Sequence, residues 1–186
     1  MKWYYWGIGS MSNADAQIMS LVYLFLSSES RISDGSYSAF EKIGNRYEGF
    51  AAAKGEIIRM CEEALAEVNP NKSRFTVVSE AFAEIAKPQG FFSLSGLDPV
   101  QQRSAMWVLV SLVRSNGKVS STETDLVEIW RCTCRIDQSV LDEMRDTAQT
   151  FRALKGYKQW ANVNKAQIEQ DWNDTTESIN QLIKLG

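Results

Sequence analysis

The chain predicts an all-α fold, a single bundle of about seven to eight helices built from two related helix-turn-helix halves, and three observations carry that prediction. Residues 105–113 are apolar at every position except Ser111, so a helix there has no broad polar face and must be wrapped by others. Start and stop signals for helices recur along the whole length, with no run of strand-like alternation between them. Laying residues 17–43 on residues 104–130 at a constant offset of 87 gives four identities (Met19/Met106, Ser28/Ser115, Ser33/Ser120, Glu41/Glu128) and eleven positions apolar in both, with no gap.

Taken in order, Trp3, Tyr4, Tyr5 and Trp6 crowd an aromatic arm, residues 1–12, which either covers apolar surface of the bundle or anchors a partner. Ser12 with Asp15 three residues on opens a first helix that runs through Ile18, Met19 and the apolar stretch 21–26 to about Ser28. A polar turn, residues 29–35, leads to a second helix carrying Tyr37, Ala39, Phe40 and Ile43. A third is expected from Glu56 to Val68, stopped by Asn69-Pro70, and a fourth from Phe75 to Ala86, stopped by Lys87-Pro88. Residues 88–97 join the halves, 13–87 and 98–155, with Phe91 and Phe92 as an apolar plug or a partner contact.

The second half starts with its signals well separated. Asp98 caps the long apolar helix, Pro99 takes the first helical position where its missing donor costs nothing, and Gln101 completes a capping box. Asn116 and Gly117 end that helix, and Ser120 with Glu123 forms the capping box of the next, which continues through Leu126 and Trp130 to about Arg135. Asp137 caps a further helix that is expected to be interrupted at Gly156. The last helix, within 157–186, bears a narrow stripe of Ile168, Trp172, Thr175, Ile179 and Leu182. Its alternating steps of four and three suit a paired helix, either packed back on the bundle or docked on another chain.

Composition excludes several classes. The 186 residues are 44% hydrophobic and 11% aromatic, enough for one substantial core and against disorder. Net charge is −3, and residues 1–97 hold 9 bases and 11 acids against 11 and 12 in 98–186. No basic half exists to follow a phosphate backbone, so nucleic acid is not an expected partner. Cys61, Cys132 and Cys134 read as free buried thiols of a reducing cytoplasm, since neither a histidine nor a fourth thiolate is present to complete a zinc site. The longest apolar run, 18–26, is far short of the ~20 residues a membrane span needs, so membrane association is not favoured. No histidine serves as a general base, and neither a phosphate-binding loop nor a Gly-x-Ser-x-Gly elbow occurs.

The turn residues carry a likeness. Asn116-Gly117-Lys118-Val119-Ser120-Ser121-Thr122-Glu123 matches, at all but its first position, the Asp-Gly-x-Ile/Val-Ser/Asp-x-x-Glu that follows the long apolar helix in the TerB-like (tellurite-resistance protein B) family. In the first half Glu29 stands for that Asp, Ser30 for the Gly and Ser36 for the Glu. The chain thus resembles TerB-like proteins over roughly residues 13–154.

The resemblance implies two pseudo-symmetric helical halves and, in some members, a divalent cation such as calcium or magnesium held by the turn acids. Transferred to this chain, the ligands would be Glu29, Asn116 and Glu123, with Asp34 compensating for Ser36. A hard cation wants more than the two carboxylates the matched positions supply, and the simpler role of Glu123 is its capping box. The resemblance further implies a non-enzymatic interaction or scaffold module of a bacterial stress-response or anti-phage defence assembly, binding other proteins or further copies of itself. A metal-dependent sensor or enzyme is the alternative. The surface that would meet a partner is expected at Trp3, Tyr4, Tyr5, Trp6, Phe91, Phe92 and Trp172.

Overall fold

A computed structural model describes residues 11–28, 32–66, 72–85, 96–115 and 120–185, and every element among them is helical. In order they are α1 (Asn13–Leu26), α2 (Asp34–Gly44), α3 (Phe50–Ala66), α4 (Arg74–Ile85), α5 (Pro99–Ser115), α6 (Ser121–Thr133), α7 (Gln138–Val163) and α8 (Lys165–Leu185). The chain divides between Arg145 and Asp146 into two units.

In the first unit the central rod is α1 rather than α5. Residues 16–25 are buried without interruption, and α1 packs against α2, α3, α4 and α5. Helix α5 buries Ala105, Met106, Leu109, Val110, Leu112 and Val113 but leaves Trp107 and Val108 half-buried, so its apolar run is wrapped less completely than its composition suggests. Helix α6 packs on both α4 and α5, and α3 on both α2 and α4. Aromatic side chains fill the seams between them. Phe40 meets Tyr23 and Phe50 edge-on at 5.4 and 5.3 Å, and Phe82 lies between Phe25 and Trp130 at 6.4 Å from each. The buried indole N–H of Trp130 is satisfied by the Gln102 carbonyl at 3.1 Å.

The helix ends follow the polar side chains. Ser12 accepts from the Asp15 N–H, Ser33 from Ser36, Ser73 from Thr76 and Ser120 from Glu123, all at 3.1–3.2 Å. Asp98 Oδ1 accepts from Val100 and Gln101, and the Gln101 side chain returns a bond to the Asp98 N–H at 2.9 Å, closing the expected box. Helix α6 ends in a Schellman turn, with the Ile136 N–H on the Arg131 carbonyl and Arg135 at φ 53°.

Three boundaries differ from the sequence expectation. Helix α3 begins at Phe50, not Glu56, because Gly49 at φ 78° turns the chain in and 51–53 is a run of alanine, the strongest helix former. Gly156 does not interrupt α7, since one interior glycine costs only ~1 kcal/mol. The break falls at Asn164, and even there the Asn164 N–H bonds to the Trp160 carbonyl and the Asn164 carbonyl accepts from Ile168, both at 2.9 Å.

Described by itself, the second unit is the helical run 146–185, in which Ile168, Trp172 and Ile179 of the expected stripe are exposed. Among the described residues no helix is long and apolar enough to cross a membrane.

Candidate functional site

The expected metal ligands have distinct surroundings. Asp34 is exposed in the first turn of α2, where a negative charge suits the helix N-terminus. Glu123 closes the α6 capping box, its carboxylate accepting from the Ser120 N–H at 3.2 Å. Glu29 and Asn116 lie outside the described residues. Among those described, no three His, Cys, Asp or Glu side chains come together as a metal set would need.

Polar chemistry inside the bundle gathers where α1, α3 and α4 meet. The Tyr23 hydroxyl donates to Glu62 Oε1 at 2.7 Å, Arg74 donates to the Ser27 carbonyl at the end of α1, and its guanidinium stands 4.0 Å from Glu62. Burial, reinforced by the bond to Glu62, pushes the Tyr23 hydroxyl well above its usual range. This set bolts three helices together and holds no nucleophile. The nearby Cys61 thiol is fully buried, points at the Ser20 carbonyl at 3.8 Å and is pushed up to about 12 by that burial, so it stays protonated and unreactive. Cys134 is likewise pushed up to about 12 by burial. Cys132 is exposed, which corrects the expectation that all three thiols are buried. It stands in the last turns of α6, where the side chain points away from the core.

A different kind of surface runs along 146–185. At 100° per residue Leu154, Tyr157, Ala161, Ile168, Trp172, Thr175, Ile179 and Ile183 fall within an arc of roughly 80°, a single apolar stripe. Trp172 is 74% exposed, Tyr157 72% and Ile183 72%. Phe151 and Trp160 flank the stripe and are exposed too. Gly156 opens an apolar notch of about 430 Å³ between Ala153, Tyr157 and Trp160. A contiguous exposed surface of this kind marks an interaction site rather than the scatter of single apolar residues found on every protein.

Of the seven side chains expected to meet a partner, Trp172 is therefore described and exposed; Trp3, Tyr4, Tyr5, Trp6, Phe91 and Phe92 lie outside the described residues. Its neighbours Leu154, Tyr157, Ile168, Ile179 and Ile183 belong to the same surface. The spacing of four and three carried that signal, but Gly156 split it by suggesting a helix end where none occurs. No protein-family model matches the chain, and neither a curated protein nor a solved structure is significantly similar to it.

Proposed function

We propose that the protein is a non-enzymatic interaction module, in which the bundle carries a long helix whose apolar stripe docks on protein. The observation that carries this reading is the exposed stripe from Leu154 to Ile183. Burying side chains of that size is worth ~1.5–3 kcal/mol each, so a partner of complementary shape gains a large driving force there.

The finer reading, a TerB-like module of a bacterial stress-response or anti-phage defence assembly, is supported by the turn motif and by the helix boundaries. An offset of 87 carries α1 and α2 from 13–26 and 34–44 to 100–113 and 121–131, against 99–115 and 121–133 for α5 and α6. Ser33 and Ser120, equivalent under that offset, both act as N-caps.

Affinity capture from the native cell, with the full chain and with Trp172→Glu/Ile179→Glu, tests the reading. A stoichiometric protein partner lost from the variant, while the melting of the bundle is unchanged, is expected. Equal recovery by both chains, or no partner for either, overturns it. Melts with EDTA and with added calcium or magnesium address the metal alternative, which requires a shift of the midpoint on addition of the ion.

A further inference from the structure

We draw no further inference here: the strongest candidate, the apolar stripe from Leu154 to Ile183 on the helical run 146–185, has Lys155 and Lys158 on one flank and Asp171 and Asp174 on the other, and nothing in the structure shows what covers it.

Discussion

Gln17 is fully buried on α1, yet neither its amide nitrogen nor its amide oxygen has a hydrogen-bond partner among the described residues. An unsatisfied buried amide costs ~1–3 kcal/mol, and methionine has nearly the same shape without that cost. Gln17→Met should therefore raise the stability of the bundle by about 1 kcal/mol or more in urea unfolding; a fall in the midpoint would mean the amide has a partner in solution. Cys61 makes the opposite kind of statement, a polar group held comfortably in its neutral form. Its thiol ionises near 9.0 when unfolded and only near 12 in the fold, so the folded state keeps the extra proton between those values. The corresponding stability is complete below pH 9 and falls as pH rises toward 12. Chemical unfolding across that window should show the decline, and Cys61→Ala should make it shallower, leaving the part that Cys134 contributes; parallel curves for the two chains would contradict the assignment. None of this was legible in the sequence, where Gln17 and Cys61 are one polar and one small residue in otherwise apolar helical patterns.

Helix ends were the most legible feature, because each is fixed by one side chain and its own backbone. Ser12, Asp98, Ser120 and Asp137 all stand immediately before the helices they were expected to open. Helix interiors were less legible, since what happens there depends on neighbours distant in the chain. Gly44 shows this well. It ends α2, and a Cβ at that position would lie 2.2 Å from the ring of Phe50, itself buried at the start of α3. Only the missing side chain lets the α2–α3 corner close. Gly44→Ala should cost about 1–3 kcal/mol through displacement of that ring. The companion change Gly156→Ala meets nothing within 4 Å and should instead strengthen α7, by ~1 kcal/mol of helix propensity. Thermal melts and helical circular dichroism of the two variants should move in opposite directions; a neutral Gly44→Ala would mean the corner is looser than the Phe50 contact implies. Gly156 also shows why the last helices were misjudged: glycine reads as punctuation, but propensity alone does not stop a helix.

At the scale of the whole molecule, composition and periodicity sufficed for an all-helical chain with a buried centre, while which helix lies deepest depended on packing order. Helix α1 takes that place by contacting four others, something no single helix pattern encodes. The apolar stripe was visible as spacing, but spacing is the same whether a helix is covered by its own bundle or by another molecule. The docking reading rests on the exposure of Trp172, Tyr157 and Ile183. Hydrogen–deuterium exchange of the dilute full chain, alone and with the captured partner, tests that distinction directly. The amides of α1 should be protected throughout, and those of 146–185 should exchange quickly in the chain alone and slow markedly when the captured partner is added. Protection of 146–185 equal to that of α1 in the dilute monomer would show that the chain covers its own stripe, and would contradict the docking helix.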